Sequence, residues 1–419
     1  MNQYKCDVLV IGGGPAGMMA AGRAAENGAK VILLEKNNRL GVKLLITGKG
    51  RCNITNADSN IRNLVEKYGK NGRFLFSALN SFGVDDIIRF FADRGVAIKV
   101  ERGSRVFPVS DVSMDVLNAL IDYLKQGKVK VQTKAEVKEI VAENGNIDKV
   151  KLQSGEEIKA GKYIIATGGK SYPATGSTGD GYRWLEKLGH TILKPEPSLV
   201  PVVTKENIVR DLEGLSLKKV EISVYQEKKK QDSRFGEAIF TGNGLSGPII
   251  LDMSKKIAEL LNNGSVKMRI DFKPALTSQN LDKRIQEDFK KYQNKQFKNA
   301  LDDLLPQKMI PVVIRLSKID PVKQVNVVTK EERGRIIKLL KEFELEISKT
   351  EGFERAIVTA GGVDLKEVEP KTMKSKVIDN LYLAGEILNL DGPTGGYNLQ
   401  VCWSTGYAAG ESAGSVTGG

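Results

Sequence analysis

Three glycines and one acid near the start of the sequence form a pattern that is typical of dinucleotide binding. Gly12, Gly14 and Gly17 have the spacing G-x-G-x-x-G, and Glu35 follows after roughly 20 residues. In this pattern the first glycine permits a tight turn, the second lets a pyrophosphate approach the backbone, and the third lets a helix pack closely on a strand. The acid accepts hydrogen bonds from a ribose. The sequence therefore predicts a dinucleotide site.

Two later strand ends favour FAD over a nicotinamide dinucleotide. Ala166, Thr167 and Gly168 end an apolar segment with the small residues that are needed where a backbone passes close to a cofactor. Gly385 and Glu386 end another such segment, where a carboxylate can bond a ribityl hydroxyl. Because a nicotinamide dehydrogenase needs neither element, we predict noncovalent FAD whose N5 atom exchanges hydride with the substrate.

A glycine-rich, basic loop over residues 41–56 offers hydrogen-bond donors for a pyrophosphate and for the edge of a flavin ring. The donors are backbone N–H groups, a hydroxyl and cationic side chains of Thr47, Gly48, Lys49, Gly50 and Arg51. We expect Arg51 and Asn53 near the flavin, and Lys43 or Lys49 near a phosphate or the substrate. The alternative is a loop whose charges are solvated.

The three cysteines, Cys6, Cys52 and Cys402, form neither a metal-binding spacing nor a disulfide framework. Flavin-dependent disulfide reductases use two neighbouring cysteines beside the flavin, and Cys52 has no second cysteine nearby in the sequence. We therefore expect Cys52 to be a structural or flavin-adjacent thiol and not half of a redox pair.

Few residues qualify as contacts to a substrate. His190 is the only histidine in the sequence and follows a predicted helix. It could act as a base, but at the end of a helix we expect a structural role. Tyr172, Tyr397 and Arg51 are the remaining candidates on the substrate side. The sequence assigns a proton-transfer role to none of them.

A second glycine pattern lies far from the first. Gly242, Gly244 and Gly247 repeat the spacing, Pro248 suits a helix start, and Asp271 could serve as the ribose acid of an NAD(P)H site. The surrounding segments look antiparallel, however, and no strand–helix–strand unit is evident. We therefore favour a turn at a helix start over a second nucleotide site.

The elements that carry the first pattern indicate an α/β fold. Residues 6–11, 30–34, 162–167 and 380–386 have the composition of buried parallel strands, and residues 16–27 and 399–413 that of helices. Because the last strand and helix come so late, the nucleotide domain is predicted to be discontinuous. Segments 129–133, 136–141, 149–152 and 157–160 look like a strand meander.

The middle of the chain has a different character after the prolines at 195, 197 and 201. Segments 200–204, 218–225, 236–240 and 266–272 alternate and are rich in β-branched residues, which predicts an antiparallel sheet or barrel. Residues 280–305 and 330–340 are predicted to be helical. We interpret this region as an insertion that covers the active site.

Composition and charge limit the choice of partner. The chain has 419 residues and a net charge of +13, carried mostly by dispersed lysines with few interleaved aromatics. This pattern favours solvated lysine-rich faces over a nucleic-acid site. No apolar run is long enough to span a membrane. The first strand leaves no room for a signal peptide, so a cytoplasmic protein is expected.

Several motifs together resemble the BaiN-like flavoproteins, which are also described as NAD(FAD)-utilising dehydrogenases or aminoacetone oxidases. They are the first glycine triplet, the loop 41–56, residues 240–248, residues 359–363 and the stretch Gly-Pro-Thr-Gly-Gly-Tyr-Asn-Leu-Gln at 392–400. The resemblance covers essentially the whole chain. It implies a discontinuous glutathione-reductase-like FAD-binding Rossmann domain (1–195 and 352–419), an inserted β-barrel domain (196–275 and 341–351) and a small helical domain within it (276–340).

The resemblance also implies bound FAD and the oxidation or reduction of a small organic substrate, lying between the flavin and the inserted domain. The predicted FAD-binding residues are Gly12, Gly14, Pro15, Ala16, Gly17, Glu35, Lys36, Lys43, Thr47, Gly48, Gly50, Arg51, Cys52, Asn53, Val137, Ala166, Thr167, Gly168, Gly385, Glu386, Gly396, Asn398 and Leu399. The helix that opens near Asn398 is expected to aim its N-terminus at the N1–C2=O edge of the flavin. Two alternatives remain open: an NAD(P)H-dependent reductase of enone-type acceptors, and a flavoprotein that binds or modifies tRNA.

Overall fold

The computed structural model describes residues 5–415. The chain forms two compact units: the first runs to Ser198 and resumes at Phe353, and the second spans Leu199–Gly352. Each unit has its own hydrophobic core. No helix within residues 5–415 combines the length and apolar character that crossing a bilayer requires.

The regular elements are numbered in chain order. The strands are β1 (Cys6–Ile11), β2 (Val31–Leu34), β3 (Thr55–Asn56), β4 (Ile98–Glu101), β5 (Arg105–Pro108), β6 (Lys130–Gln132), β7 (Val137–Glu143), β8 (Asn146–Leu152), β9 (Glu157–Ile158), β10 (Ala160–Ile165), β11 (Ile192–Ser198), β12 (Val202–Thr204), β13 (Ser216–Gln226), β14 (Lys229–Thr241), β15 (Gly244–Ser246), β16 (Val266–Asp271), β17 (Phe343–Thr350), β18 (Val358–Val363) and β19 (Leu381–Leu383). The helices are α1 (Pro15–Glu26), α2 (Val42–Ile46), α3 (Ile61–Glu66), α4 (Phe76–Ser81), α5 (Val84–Ala92), α6 (Ser113–Gln126), α7 (Asp180–Lys187), α8 (Pro248–Leu261), α9 (Ser278–Lys291), α10 (Met309–Ser317), α11 (Lys330–Lys341) and α12 (Tyr397–Gly414).

The first unit is built on a five-stranded parallel sheet in the order β19-β10-β1-β2-β6. Its central strands are apolar runs that are almost fully buried, as a parallel sheet covered on both faces requires. The predicted parallel strands at 6–11, 30–34, 162–167 and 380–386 are confirmed. The predicted meander is wrong at its first member, because β6 joins the parallel sheet at its edge beside β2 and does not pair with β7.

Helix α12 packs along α1 through a column of glycines spaced four residues apart. A Cβ atom on Gly406 would lie 2.5 Å from the carbonyl oxygen of Ala16, and one on Gly414 would lie 2.6 Å from the Cα of Ala24. Gly410 makes the same close approach to Ala20. Any larger residue in this column would force the two helices apart, so the glycines set their separation.

Three small antiparallel sheets complete the first unit: β7-β8-β9, β3-β5-β4 and β11-β18. Strand β11 contains Pro195 and Pro197, which the sequence suggested as a boundary; the strand still pairs with β18, with an irregular register after Leu193. The unit boundary falls just after this strand, at Ser198.

In the second unit, six antiparallel strands close into a barrel in the order β12-β15-β14-β13-β16-β17. Buried side chains of the barrel and of α8, α9, α10 and α11 belong to one hydrophobic cluster. The finer division of this region into separate domains at 276–340 therefore stays a prediction.

The predicted helix over 280–305 is too long. Helix α9 ends at Lys291, and α10 begins only at Met309. The apolar spacing that indicated a helix continues to Tyr292 and then breaks. Beyond Tyr292, the backbone of Gln296 pairs with that of Gln324 in an antiparallel bridge. Backbone hydrogen-bonding groups of this segment are therefore satisfied across the bridge and not within a continued helix.

Candidate active site

The glycine triplet forms the turn between β1 and α1. Gly12 has a φ of +109°, and a Cβ atom there would lie 2.5 Å from the carbonyl oxygen of Ala166. Gly14 is the N-cap of α1 and has open space where a side chain would stand. No side chain caps this helix, whose first turn begins with Pro15. Its free N–H groups and the positive end of the helix dipole suit a pyrophosphate.

Glu35 follows β2 and is 9% exposed. Its Oε2 accepts a hydrogen bond of 2.7 Å from the backbone N–H of Gly13, and its Oε1 accepts one of 2.8 Å from Asn37. Because each carboxylate oxygen can accept a second bond, both remain able to bind hydroxyl groups. The backbone N–H groups of Gly13 and Asn37 thus hold the carboxylate at the end of β2, where the sequence predicts a ribose acceptor.

These residues line a cleft with about 900 Å³ of empty space, which we call the glycine-loop cleft. Its lining includes these predicted residues: Gly12, Gly14, Pro15, Ala16, Glu35, Lys36, Lys43, Val137, Ala166, Thr167, Gly168 and Glu386. Gly17 supports the cleft from behind, where it packs against the carbonyl of Gly12.

Thr167 lines the cleft and carries a polar atom that is unsatisfied. Its Oγ1 is buried and has no hydrogen-bond partner among the described residues. A buried hydroxyl without a partner costs roughly 1–3 kcal/mol. An added Cβ on Gly181 would lie 2.3 Å from this oxygen, so the hydroxyl packs against α7 and does not open onto the cleft. The fit of the cleft to FAD rests instead on the free N–H groups at the start of α1 and on the Glu35 carboxylate.

A hydrogen-bonded network joins four segments at another part of the cleft. The ammonium of Lys43 lies 2.9 Å from Glu386 Oε2 and 3.2 Å from Ser171 Oγ. The Oε1 atom of Glu386 accepts bonds of 2.8 Å from the Ser171 hydroxyl and from the backbone N–H of Thr359. The carboxylate predicted for a ribityl contact is thus oriented by three donors.

Part of the cleft wall was missed by the sequence analysis. The missed lining residues are Ile11, Gly13, Leu34, Asn37, Gly41, Val42, Ala135, Glu136, Thr175, Gly176, Ser177, Thr178, Asp180, Trp184 and Cys402. Lys36 connects this wall to β2, with its ammonium 2.6 Å from Thr178 Oγ1 and 2.7 Å from Asp180 Oδ2. Burial opposes ionisation of Asp180, but the bonds from Lys36 and Thr178 outweigh it and hold the pKa of that carboxyl below its usual value. The stretch 175–179, which is rich in glycine and hydroxyl side chains, is the sequence feature that could have indicated this wall.

The basic loop contributes Gly41, Val42 and Lys43 to the cleft lining, but not its later residues. Thr47, Gly48, Gly50, Arg51, Cys52 and Asn53 are absent from the cleft lining. The guanidinium of Arg51 donates to Glu101 at 2.9 Å and to Asp111 at 3.2 Å, and it stacks 3.9 Å from the ring centre of Phe107. The hydrogen bond from Arg51 lowers the pKa of Glu101. The role of Arg51 beside a flavin stays a prediction, as does that of Asn53, whose buried Oδ1 has no partner among the described residues.

The start of α12 is held by its own glycine turn. Gly396 is the N-cap with a φ of +103°, and the side chain of Asn398 accepts from the N–H of Gly392 and donates to the carbonyls of Gly392 and Pro393, at 2.9–3.1 Å. The carbonyl of Tyr397 accepts a 2.9 Å bond from the hydroxyl of Tyr68. Gly385, Gly396, Asn398 and Leu399 do not line the cleft, and neither do Tyr172 and Tyr397, so their assigned contacts stay predictions.

All three cysteines are free thiols. Burial raises the pKa of Cys6 to about 11 and that of Cys52 to about 12. Burial and the nearby Glu386 carboxylate raise the pKa of Cys402, which lines the cleft, to about 12. Thiols with such pKa values stay protonated near neutral pH and are poor nucleophiles.

Two further sequence features have structural roles. His190 is buried, and its Nε2 lies 2.8 Å from the hydroxyl of Ser375. Gly242 lies in the turn between β14 and β15, both antiparallel barrel strands, and Gly247 precedes α8. Asp271 pairs with Lys341 at 2.5 Å. The second glycine pattern therefore forms a turn at a helix start, without the strand–helix–strand unit of a nucleotide site.

Comparison with known proteins agrees with this geometry. A sequence profile of the HI0933-like protein Rossmann domain matches residues 6–412. The chain is 34% identical over 409 residues to a 3-dehydro-bile acid delta(4,6)-reductase from Clostridium scindens, covering 96% of this chain and 98% of the relative. It is 30% identical over 410 residues to a ribosomal RNA dihydrouridine synthase from Escherichia coli, covering 96% of each.

Among solved structures, the fold is similar to that of 3-ketosteroid-delta4-(5alpha)-dehydrogenase from Rhodococcus jostii RHA1. The TM-score is 0.55 at 15% identity, and the alignment covers 98% of this chain and 97% of the other. At this level of identity the similarity concerns the fold alone.

Proposed function

Because the chain belongs to the HI0933-like Rossmann family and is an FAD-dependent oxidoreductase, we propose that it reduces a carbon–carbon double bond conjugated to a carbonyl group. The observation that carries the proposal is the chemistry shared by two relatives that match nearly the whole chain. The name of one specifies delta(4,6) double bonds beside a 3-oxo group. The name of the other specifies dihydrouridine, in which the uracil double bond next to the C4 carbonyl is saturated.

The residues of the glycine-loop cleft support binding of FAD. The first turn of α1 would bind the pyrophosphate beside Gly14, and Glu35 would accept hydrogen bonds from the adenosine ribose. Lys43 and Glu386 would present a cation and an oriented carboxylate to the ribityl and phosphate groups. When bound and reduced, FAD supplies hydride from N5 to one carbon of the double bond, and a proton completes the other.

The electron donor is part of the proposal. We expect NADPH or NADH to reduce the flavin transiently, without a nucleotide site of the Rossmann type in the second unit. From the resemblance to the BaiN-like flavoproteins, we assign the second unit to an inserted barrel domain (196–275 and 341–351) with a helical domain at 276–340. The closed barrel of β12 to β17 supports that assignment.

The test is an anaerobic half-reaction with the FAD-loaded protein. The flavin is first reduced with NADPH, NADH or light, and a conjugated enone such as a 4-en-3-one steroid is then added. We expect the oxidised flavin spectrum to return with one equivalent of saturated product, and the matched saturated ketone to leave the flavin reduced. Flavin that is reduced by amines and reoxidised only by oxygen would instead identify an oxidase and contradict the proposal.

A second candidate substrate is a uracil base within ribosomal RNA. It is favoured by the net charge of +13 together with the match to the dihydrouridine synthase over 96% of both chains. The protein would be incubated with NADPH and protein-free ribosomal RNA from Escherichia coli cells lacking their own synthase. Dihydrouridine detected by mass spectrometry supports this candidate. Its absence, with enone reduction intact, assigns the chemistry to small molecules.

A further inference from the structure

A segment of the second unit combines lysine and amide side chains without a single carboxylate. Between Phe289 and Leu301 the sequence has four lysines, four Asn or Gln residues and no Asp or Glu. The neighbouring segment 321–330 also lacks acids. Seven residues of the first segment are exposed, and one of them, Lys291, pairs with Asp303 at 2.7 Å. The other six form what we call the lysine–amide surface: Lys290, Gln293, Asn294, Lys295, Lys298 and Asn299.

The backbone beneath this surface is fixed. The side chain of Phe297 is fully buried, with its ring centre 6.3 Å from that of Phe289 in an edge-to-face contact. The N–H of Phe297 donates to the carbonyl of Lys323 at 2.8 Å, and the N–H of Val325 donates to the carbonyl of Lys295 at 3.1 Å. The exposed lysines thus start from an ordered backbone, which lowers the entropy lost when they bind a ligand.

Apart from Lys291, which pairs with Asp303, the lysines of this segment have no acidic partner among the described residues. Lys290, Lys295 and Lys298 form no ion pair with any of the residues 5–415, and Lys295 lies 4.3 Å over the ring of Tyr292. Some basic residues on the barrel are paired, since Lys267 and Arg269 share Glu344 at 2.6 and 3.0 Å, but Lys218, Lys219 and Lys229 are not paired within the described part of the chain. The lysine–amide surface differs from these strands by the amide side chains between its lysines.

The helix dipole explains only part of this pattern. Lys290 lies in the last turn of α9, where a cation stabilises the helix by interacting with its C-terminal carbonyls. Lys295 and Lys298 follow the end of the helix and gain nothing from that effect. A stabilising role for α9 therefore leaves these two charges unexplained.

We propose that the lysine–amide surface binds the phosphate backbone of RNA, an inference that rests on the second candidate substrate above. Unpaired ammonium groups release counterions when they meet phosphates, and this supplies affinity without regard to sequence. Amide side chains beside them can donate to phosphate and sugar oxygens and so position the strand. An acidic protein would satisfy the lysines and the amides as well. RNA is favoured by the match to a ribosomal RNA dihydrouridine synthase, and poly-glutamate serves below as the probe for the acidic alternative.

The test compares RNA binding of three FAD-loaded proteins over a range of salt concentrations. They are the unchanged protein, the triple variant Lys290→Gln/Lys295→Gln/Lys298→Gln, and a control with the same loss of charge, Lys218→Gln/Lys219→Gln/Lys229→Gln. The control lysines are exposed on β13 and β14 and form no ion pair among residues 5–415. The probes are protein-free ribosomal RNA, poly(U) and poly-glutamate, and flavin absorbance verifies that each protein is folded.

The triple variant should bind ribosomal RNA at least about tenfold more weakly at 0.15 M salt, with a salt slope smaller by roughly two, since each lost phosphate contact removes about 0.7–0.9. The control should match the unchanged protein. The proposal would be overturned if both variants lost RNA affinity equally, or if neither lost any. It would also be overturned if the triple variant lost affinity for poly-glutamate as strongly as for RNA. If RNA binding follows this prediction but no dihydrouridine forms, the second candidate substrate is refuted. The assignment of the lysine–amide surface as an RNA-binding surface is then retained.

Discussion

The ammonium nitrogen of Lys43 lies 2.9 Å from the carboxylate oxygen Oε2 of Glu386, although 343 positions separate the two residues in the sequence. Both side chains are largely buried, with 20% and 16% of their surface exposed. The pair joins the α2 segment to the segment after β19, at the wall of the cleft. Ser171 and Thr359 bind the same carboxylate. The network therefore fixes the position of two charged groups that line the cleft.

Removing either partner should destabilise the protein. We expect Lys43→Met to lower the free energy of unfolding by about 1–3 kcal/mol, because a carboxylate left without its partner in a partly buried site keeps its desolvation cost. The double variant Lys43→Met/Glu386→Gln should lose less than the sum of the single variants, with a coupling of about 0.5–3 kcal/mol. Urea titration of all four proteins measures this.

An exposed ion pair provides the control. Lys125 and Asp122 lie 2.9 Å apart with 72% and 59% of their side chains exposed. Lys125→Met should change stability by under about 1 kcal/mol, since solvent screens such pairs. Strictly additive effects at Lys43 and Glu386 would show that the close contact carries no energetic coupling.

Gly14→Val should abolish flavin binding while leaving the fold intact. Gly14 has a φ of −82° and no atom within 4 Å of an added Cβ, so valine is accommodated without strain. Its side chain would then stand in the cleft where the pyrophosphate approaches the backbone. We expect a colourless protein with unchanged circular dichroism, whereas the unchanged protein releases FAD, and not FMN, on denaturation.

Gly334 is a matched position for the same change, because it also has open space around an added Cβ but lies on α11 in the second unit. Gly334→Val should keep its full flavin content. A yellow, FAD-loaded Gly14→Val protein would show that the pyrophosphate lies elsewhere.

Cys52→Ser should retain FAD and most of the turnover. The thiol is fully buried, its pKa is raised to about 12 by burial, and it is not part of the cleft lining. Steady-state rates with an enone acceptor, together with the flavin spectrum, provide the measurement. A loss of several orders of magnitude with the spectrum unchanged would establish a redox role for this thiol.

The stability of the protein should fall as the pH drops below 6.5 because of His190. Ser375 Oγ accepts N–H bonds from Val377 and Ile378, so its own hydrogen points to His190 Nε2, and the imidazole must be neutral. Burial lowers the pKa of His190 from 6.5. Below that pH the unfolded chain binds a proton that the folded protein does not, which costs up to about 1.4 kcal/mol per pH unit.

His190→Gln should flatten the dependence of the melting temperature on pH between 7.5 and 5. The assignment is direct, because the sequence has one histidine. The proton NMR signal of its imidazole should titrate below 6.5 in the folded protein. Identical pH profiles for both proteins would rule out this contribution.

The parts of the site that the sequence predicts are those encoded by local spacing. The turn at Gly12, the start of α1 and the position of Glu35 follow from a few contiguous residues and are reproduced by the structure. The ends of β10 and β19 could be identified because apolar runs with small terminal residues mark strands that approach a ligand. Each of these signals lies within a single element and its adjoining turn.

The rest depends on contacts between distant segments. The Lys36–Asp180 pair spans 144 positions, and nothing in either local sequence indicates the other partner. Arg51 shows the opposite case: its loop suggests a cofactor contact, whereas the fold brings Glu101 and Asp111 to its guanidinium. A charge in a loop can be satisfied by any acid that folding brings near, so its type alone does not determine its partner.

Synthesis on the ribosome delivers α1 before the second unit and α12 after it. Until residues 397–414 emerge, the face of α1 around Ala16, Ala20 and Ala24 lacks the glycine column that covers it, and β10 lacks its neighbour β19. The nascent chain must therefore hold an incomplete apolar sheet while an entire second unit is translated. The cleft, which needs Glu386 and Cys402 for its lining, forms only after those residues arrive, so cofactor capture is among the last steps of maturation.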